Sequence, residues 1–393
     1  MNRRLFIVTV AAGAAELARA QRRGPEPAAV PDVIKNLKPM LDGVQPITVA
    51  ERAARIEKAR RLMRDNKIGA VLCQAGSSLY YYTGVRGGAN TWVLPAKGEP
   101  ASFEPEEGDA PYQRIAQFLK SAAAAKVGIE ERTPFAVIDG LRKEFPAAEF
   151  VSADPVTIGC RVIKSPAEIA LLQRANDITI AAYKAAFQTL REGMTQGELS
   201  ANIAAAYRAL GVQGNAMAIF GKYTAFPHGS IQPQQLREGD MVLVDDGCSV
   251  EGYQSDITRT IVFGKPTRRQ TEIWNLERKA QDAALAAARP GAACESVDAA
   301  ARKVITDAGF GPGYKVPGLP HRTGHGIGLD GHEWTYLVKG NRTQLQPGMC
   351  FSDEPTIAIY GEFGVRLEDC MYITESGARM FTKQSPAIDN PFG

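Results

Sequence analysis

The chain has 393 residues, 45% of them hydrophobic and 23% charged, which is typical of a globular protein and excludes disordered, collagen-like and small disulfide-scaffold chains. The formal net charge of +3 argues against a dedicated nucleic-acid-binding protein, which would carry a much more basic domain. The six cysteines form no C-x-x-C pair, so the sequence contains neither a zinc ribbon nor a thioredoxin-like motif.

The N-terminus has the pattern of an export signal. Arg3 and Arg4 precede a short apolar run, and Ala-Arg-Ala at 18–20 is a small-x-small cleavage site. The paired arginines resemble a twin-arginine signal, and the apolar run is too short for a membrane span. We therefore expect residues 1–20 to be removed on export to the periplasm or another extracytoplasmic compartment. If they are instead a disordered or surface-packed N-terminus, we expect a cytoplasmic protein. Proline-rich residues 21–45 predict a surface linker or arm.

Residues 46–162 alternate between helix and strand patterns, which favours an α/β domain. Thr48 and Glu51 have capping-box spacing and predict a helix to about residue 65. Short apolar runs predict strands at 68–73 and 91–94, and a helix is expected at 114–125. We interpret 151–162 as a strand interrupted by a proline and a glycine.

A clearer boundary begins the segment 163–393. Ser165, Pro166 and Glu168 combine an N-cap, a proline in the first turn and a capping box, so a long helix is expected to about Glu192. Further helices are expected from Thr195, from Thr267 and over 295–308, with strand pairs between and after them. This pattern predicts an α+β domain of helices packed on an antiparallel sheet.

Two strand pairs in this segment carry acidic residues within apolar runs. Asp245 and Asp256 have their midpoint at 250–251, so a hairpin turning there would place them opposite each other. Glu354 and Glu368 have the same relation about Gly361. Facing like charges destabilise a sheet unless something compensates, and a divalent cation would do so. One acidic pair alone could be a charge-protected strand edge, but two pairs favour a metal site.

The four histidines lie in two segments rich in glycine and proline. His228 is in the first, and His321, His325 and His332 are in the second, over 321–333. The glycines of the second segment argue against a helix and for a backbone that passes close to other groups. Two Asp, one His and two Glu are sufficient for a two-metal site with bridging carboxylates.

The combined motifs resemble those of the pita-bread metallopeptidases of family M24, which include aminopeptidase P, prolidase and methionine aminopeptidase. The motifs are Asp-Asp-Gly at 245–247, Ser-Asp-Ile-Thr-Arg-Thr at 255–260, Gly-His-Gly-Ile-Gly at 324–328, Asp-Glu-Pro at 353–355 and Arg-Leu-Glu-Asp at 366–369. The resemblance implies a creatinase-type two-domain chain, with an N-terminal α/β domain at 46–162 and an α+β pita-bread domain at 163–393.

The resemblance also implies the site. Two divalent ions, Mn²⁺ with Co²⁺ or Zn²⁺ as alternatives, would be held by Asp245, Asp256, His325, Glu354 and Glu368. Because all five are present, metal-free creatinase-like chemistry is disfavoured. By the same resemblance, the nucleophile would be a metal-bridging hydroxide, with Glu354 also the general base. Substrate contacts would come from His228, His321, His332 and Arg366. Of these, His228 and His332 would protonate the leaving nitrogen or hold the oxyanion.

The resemblance implies an Xaa-Pro peptidase, because an N-terminal domain precedes the catalytic segment. The main expectation is an aminopeptidase that releases the residue before proline. The alternatives are an Xaa-Pro dipeptidase (prolidase) or another amide hydrolase on the same site, and a metal-free binding protein of the same fold. The expected partners are peptides with proline at the second position and further copies of the chain, as a dimer or tetramer. Nucleic acid and a stable membrane span are not expected.

Overall fold

The computed structural model describes residues 29–88, 90–104 and 110–393. The predicted export signal at 1–20 and the start of the predicted linker lie outside these residues. Residues 29–45 form an arm with one short helix, α1 (Asp32–Lys35), whose Ile34 is buried. The backbone N–H of Met40 donates to the carbonyl of Leu210 at 2.9 Å, so this arm packs against the C-terminal half of the chain.

The N-terminal half of the described chain is an α/β unit. Its helices are α2 (Val49–Asp65), α3 (Ser77–Thr83), α4 (Ala110–Ser121), α5 (Phe135–Glu144) and α6 (Asp154–Arg161). Its strands are β1 (Ala70–Cys73), β2 (Thr91–Pro95), β3 (Ala101–Phe103), β4 (Lys126–Ile129) and β5 (Glu149–Ser152). The strands form one sheet in the order β3-β2-β1-β4-β5, in which β1, β4 and β5 are parallel. The predicted α/β character is confirmed.

The interpretation of 151–162 as an interrupted strand was wrong. Strand β5 ends at Ser152, and residues 154–161 are helix α6, which has its proline in the first turn. Proline is tolerated there because that position has no intrahelical N–H bond to lose. Val156 and Cys160 are four residues apart and are both buried, so the apolar run follows helical spacing.

The C-terminal half begins with the expected capped helices. The helices are α7 (Pro166–Phe187), α8 (Gln196–Ala209), α9 (Arg268–Ala287) and α10 (Cys294–Asp307). Complete capping boxes are present at Ser165, Thr195 and Thr267, as predicted. Helix α7 ends at Phe187 rather than near Glu192, because the chain turns before the glycine that was taken as the stop signal.

Antiparallel sheets pack against these helices. The strands are β6 (Met217–Phe220), β7 (Met241–Asp245), β8 (Ser249–Val250), β9 (Tyr253–Gln254), β10 (Arg259–Val262), β11 (Gly324–Gly326), β12 (Glu333–Leu337), β13 (Cys350–Asp353), β14 (Thr356–Ile359), β15 (Phe363–Arg366), β16 (Asp369–Thr374) and β17 (Gly377–Met380). They form a three-stranded sheet β10-β7-β6, a five-stranded sheet β12-β11-β13-β16-β17 and two small hairpins, all antiparallel. The α+β prediction is therefore confirmed. Within the described residues, no helix is long and apolar enough to cross a membrane.

Candidate metal centre and substrate cavity

The aspartate pair is not directly opposed, contrary to the sequence prediction. In the β7–β10 pairing, Arg259 lies opposite Val244, so continuing the register places Thr258 opposite Asp245. Asp256 comes two residues earlier, in the loop that enters β10. The pairing is interrupted just after Asp245, where the next residue has a positive φ of 115°. This irregular backbone brings the two carboxylates together diagonally, not as a direct cross-strand pair.

The glutamate pair is opposed as predicted. Strands β13 and β16 pair Asp353 with Asp369, and β14 and β15 pair Thr356 with Arg366, in one continuous register. Glu354 and Glu368 occupy the break between these two ladders and lie opposite each other. Both ladders end at the glutamates, and a carboxylate oxygen of Glu368 lies within 4.8 Å of ligand atoms of Asp245 and Asp256.

Close backbone packing places His325 beside these acids. A Cβ at position 324 would lie 2.2 Å from the carbonyl oxygen of Ser352, and one at position 326 would lie 2.7 Å from that of Glu333. Only glycine is tolerated at such distances, which explains the glycines that flank the histidine. His325 is buried in β11, and its Nε2 is 3.2 Å from Glu354 Oε1.

The structure brings all five predicted ligands into one cluster. Their ligand atoms form overlapping groups within 4.8 Å: Asp245, Asp256 and Glu368 in one, and His325, Glu354 and Glu368 in another. A third group joins Asp256 and His325 to His332. Glu368 is common to the first two groups, so it lies where a bridging carboxylate would be needed.

The buried acids suppress one another's ionisation. Burial, together with repulsion from Asp245, raises the pKa of Asp256 well above its ordinary value. Burial and then Asp256 do the same to Glu368, and burial raises the pKa of Glu354 to about 7. Burial lowers the pKa of His325, so its imidazole is neutral, as metal coordination requires.

The shortage of hydrogen-bond donors around these carboxylates also indicates a cation site. The Thr258 hydroxyl is 2.7 Å from both Asp245 Oδ1 and Glu368 Oε2, but it has one proton and can donate to only one of them. Among the described residues, Glu368 Oε1 is buried without a hydrogen-bond partner. A cluster of buried carboxylates with too few donors is the environment that divalent cations stabilise.

Arg366 is a buried arginine whose donors are occupied by protein groups. Its Nε donates to Thr258 Oγ1 at 3.0 Å, its Nη1 donates to the carbonyl of Pro227 at 3.1 Å, and its Nη2 contacts Asp245 Oδ2. These bonds leave little to offer a substrate. They favour the role of orienting Asp245 over the predicted role of direct substrate binding.

The remaining predicted residues line a cavity of about 340 Å³ above the acidic cluster. His228, His321 and His332 all contribute to its wall. His321 is within 2.9 Å of the Thr356 hydroxyl, and burial lowers its pKa to about 3. The ring centroid of His332 lies 4.0 Å from that of His325, and burial also lowers its pKa. The site histidines with shifted pKa values are therefore neutral.

Sequence reasoning missed Arg322, which also lines the cavity. Its Nη2 donates to His332 Nδ1 at 3.2 Å. Because a guanidinium can only donate, that Nδ1 must be unprotonated, and a neutral His332 then carries its proton on Nε2. His332 would need that same Nε2 unprotonated to coordinate a metal, so the contact disfavours it as a ligand. The signal was the position of Arg322, beside His321 in the histidine segment.

The loop that carries His332 is fastened to the N-terminal unit. Arg161, the last residue of α6, lies 2.5 Å from Asp330 Oδ2 and also contacts Glu333. Lys164 lies 2.9 Å from Glu333 Oε2. Although burial opposes it, these cations lower the pKa of Glu333 to about 2. The carboxylates of Asp330 and Glu333, on either side of His332, are thus both paired with cations across the domain boundary.

Comparison with known protein families identifies both halves of the chain. The model for metallopeptidase family M24 matches residues 170–375, and that for the creatinase/prolidase N-terminal domain matches residues 55–163. The chain belongs to metallopeptidase family M24. It is therefore a peptidase that depends on divalent metal ions, with the creatinase-type two-domain architecture that the motifs predicted.

Individual relatives cover nearly the whole chain. The Xaa-Pro dipeptidase of Pyrococcus horikoshii is 32% identical over 344 residues, which span 84% of this chain and 97% of that protein. The crystal structure of dipeptidase PepE from Mycobacterium ulcerans superposes with a TM-score of 0.81 at 31% identity, over 89% of this chain and all of that one. The X-Pro aminopeptidase of Thermotoga maritima shares the fold. It superposes with a TM-score of 0.72 at 24% identity, over 82% of this chain and 97% of that one.

Proposed function

We propose that this M24 peptidase is an Xaa-Pro dipeptidase, which was the alternative and not the main expectation from the sequence. The observation that carries the proposal is the similarity to the Pyrococcus horikoshii Xaa-Pro dipeptidase over 97% of that protein's length. The aminopeptidase from Thermotoga maritima is less similar in sequence and supports only the common fold.

The size of the cavity supports a small substrate. Its volume of about 340 Å³ is near the lower end of the range of roughly 300–1,000 Å³ found for small-ligand sites. The wall combines acids, histidines and two arginines, so a ligand with charged termini fits it better than an apolar one. A dipeptide places an amine, an amide and a carboxylate within such a volume.

We assign two divalent ions to the acidic cluster, with the five predicted residues as ligands. Asp256 and Glu368 would be shared between the ions, because each is a carboxylate grouped with Asp245 on one side and with His325 on the other. Four carboxylates and one imidazole suit Mn²⁺, and Co²⁺ and Zn²⁺ are the alternatives. When bound, the ions polarise the scissile carbonyl and acidify a water molecule.

Side chains of the cavity transfer protons and stabilise the charge that develops during hydrolysis. Glu354 lies at the edge of the cluster beside His325 and takes the proton of the attacking water. His332, on the cavity wall, offers its Nε2–H donor to the charge that develops on the carbonyl oxygen or to the leaving nitrogen. The leaving prolyl nitrogen must gain a proton to depart as an amine, as in the hydrolysis of any amide. His228, on the same cavity wall, is a second group that can deliver it.

A substrate-length comparison tests this proposal. The metal-reconstituted protein is assayed on an Xaa-Pro dipeptide and on the Xaa-Pro-Yaa tripeptide that extends it by one residue, with chelator-treated protein as the control. We expect the dipeptide to have the higher kcat/KM and the chelator to abolish hydrolysis of both. Faster cleavage of the tripeptide would support the aminopeptidase alternative instead. Cleavage of neither substrate would support a binding protein.

We also propose that the chain is exported and processed after Ala20. The support is the paired arginines, the short apolar run and the small-x-small site at the N-terminus. Mass spectrometry of the N-terminus of the native protein tests this. We expect Gln21 as the first residue, whereas an intact Met1 in a cytoplasmic fraction would contradict export.

A further inference from the structure

Asp246 is a carboxylate of the cavity that the metal site does not use. It lines the cavity beside the acidic cluster but belongs to none of the candidate ligand groups. The four carboxylates that do belong would be balanced by the two divalent ions assigned to them. Among the described residues, Asp246 forms no ion pair, since the cavity arginines bond to Asp245 and to His332. It is therefore a negative charge of the wall that no described cation of the chain compensates.

The backbone at Asp246 has a conformation that is unusual for a residue with a side chain. Its φ of 115° lies in the region that glycine adopts most readily. Its carbonyl oxygen accepts hydrogen bonds from the Tyr183 hydroxyl at 2.8 Å and from the backbone N–H of Ile257 at 3.2 Å, and these bonds hold the chain in this conformation. Strained residues of this kind cluster at functional sites, and here the strained residue carries a carboxylate without a part in metal binding.

Met217 supplies apolar surface next to this carboxylate. It lies opposite Asp245 in the β6–β7 pairing, it lines the cavity, and its backbone N–H interacts with the Asp246 carboxylate. A methionine side chain is flexible and packs against aliphatic chains of different shapes. Apolar surface that ends at a carboxylate matches a long basic side chain, which has an aliphatic stem and a cation at its tip.

This corner lies at the end of the cavity where we expect the residue before proline. His332, the proposed donor to the carbonyl oxygen or the leaving nitrogen, has its ring 4.0 Å from the ring of His325. Asp246 and Met217 instead adjoin Asp245, one in sequence and the other in the sheet. Asp245 shares no candidate ligand group with His325. The leaving proline and the residue before it would therefore face different ends of the cluster, and the residue before proline would face Asp246.

We propose that Met217 and Asp246 form the subsite for the side chain of the residue before proline, and that Asp246 favours lysine or arginine there. The inference rests on the proposed Xaa-Pro dipeptidase function and names its preferred substrates. A basic side chain places its stem along Met217 and its cation at the carboxylate of Asp246. The α-ammonium group, which every substrate carries, is the other cation within reach of this carboxylate, and the test separates the two.

The test uses two dipeptides of equal length that differ in one charge. They are Lys-Pro and norleucine-Pro, whose side chain has the same carbon stem without the amine. The kcat/KM values of both are measured for metal-reconstituted wild type, Asp246→Asn and Asp246→Gly, each with metal content and melting temperature. Asparagine keeps the shape of the side chain, and glycine relieves the positive φ, so the two variants test the charge with opposite demands on the backbone.

Wild type is expected to prefer Lys-Pro by ~5- to 10-fold, between the effects of an exposed ion pair and of a buried charge-assisted hydrogen bond. Both variants should lose this preference and keep their activity on norleucine-Pro. The matched control is Glu251→Gln, because Glu251 is an exposed acid that also has a positive φ but lies outside the cavity. It should leave both kcat/KM values unchanged.

A loss confined to Lys-Pro supports the proposal. Equal losses on both dipeptides would mean that Asp246 binds the α-ammonium group or supports the metal site, which overturns it, as would an unchanged ratio in the variants. A wild type without a preference for Lys-Pro overturns it before any variant is considered. Faster cleavage of Lys-Pro-Yaa than of Lys-Pro would instead contradict the dipeptidase function, and the side-chain comparison would still decide the subsite. Hydrolysis of none of these peptides would overturn both.

Discussion

The carboxylates of the metal cluster have too few hydrogen-bond donors around them to compensate their negative charge. Thr258 offers one proton to two carboxylates, and Glu368 Oε1 has no partner among the described residues. Burial raises the pKa of Asp256 and of Glu354, so the acids resist ionisation until a cation compensates. Each acid should therefore matter more for metal binding than for folding.

The first prediction concerns Asp256. We expect Asp256→Asn to abolish hydrolysis and to reduce the metal bound per chain, because an amide cannot supply the second anionic oxygen needed to bridge two ions. The fold should persist, since replacing a buried acid with its neutral isostere removes repulsion. The control is Asp246→Asn, an acid of the same cavity that belongs to none of the candidate ligand groups and should retain metal. Near-normal turnover of Asp256→Asn with added metal would contradict a dinuclear site.

The second prediction concerns His332. We expect His332→Ala to leave metal content unchanged and to lower kcat by ~10²–10³-fold, the typical loss on removing one oxyanion donor. Metal per chain, melting temperature and kcat separate the possible roles. A drop in metal content would make His332 a ligand, and a drop in melting temperature with unchanged kcat would make it a packing residue.

Chemical type and spacing predicted the acids and histidines of the site but not Arg322. Carboxylates in apolar strands conflict with burial and therefore stand out in a sequence. An arginine beside a glycine-rich segment is unremarkable until the fold shows that it lines the cavity and donates to His332. That contact depends on the three-dimensional arrangement of the segment, which no local pattern contains.

At the scale of elements, capping patterns predicted helix starts well, and hairpin registers less well. The boxes at Ser165, Thr195 and Thr267 formed because their hydrogen bonds are local. The position of Asp256 relative to Asp245 depends on an irregular backbone with a positive φ at Asp246. A prediction from the midpoint of the two sequence positions assumes a regular hairpin and misses this. Helix α6 was taken for a strand because a short apolar run has no decisive period.

The third prediction concerns the fastening of the His332 loop by α6. Arg161→Gln removes the bonds to Asp330 and Glu333 across the domain boundary, so His332 should lose its position. We expect kcat to fall by ~10- to 100-fold with little change in metal content, in line with the cost of misplacing a catalytic group by about 1 Å. Arg161→Lys should recover part of the loss.

A neighbouring arginine provides the control for that variant. Arg132 lies 3.4 Å from Asp330, but its side chain is 59% exposed, so its ion pair is weak. Arg132→Gln should leave kcat unchanged. If Arg161→Gln instead changes only the melting temperature, Arg161 is a structural residue and does not position His332.

The fourth prediction concerns Glu277 on the buried face of α9. It is fully buried, and both of its carboxylate oxygens lack partners among the described residues. Burial raises its pKa well above the ordinary value, although Arg366 opposes this. The folded state thus keeps a proton that the unfolded state releases above its own pKa of ~4.3, so stability falls as pH rises.

Glu277→Gln should remove this dependence. We expect the variant to gain stability over wild type as pH rises from about 5 to about 8, by up to ~1.4 kcal/mol per pH unit, in urea unfolding of the metal-free protein. Glu272→Gln, on the exposed face of the same helix, should show no such trend. A gain that is independent of pH would mean that Glu277 is ionised in the folded protein.

At the scale of the whole molecule, the two halves of the chain contribute differently to the site. The cavity wall comes entirely from residues 217–368 in the C-terminal half. The N-terminal half contributes the ion pairs of Arg161 that hold the His332 loop. Sequence motifs predicted the two-domain architecture because the ligands and their spacing are specific. They do not distinguish an aminopeptidase from a dipeptidase, because aminopeptidase P and prolidase share these motifs.

The rate of hydrolysis of an Xaa-Pro dipeptide, followed as divalent metal is titrated into the metal-free protein, tests the central claim most directly. The account predicts no hydrolysis without metal and a rate that reaches its plateau at about two equivalents per chain, as a two-metal site requires. Hydrolysis by the metal-free protein, or a plateau already reached at one equivalent, would contradict it.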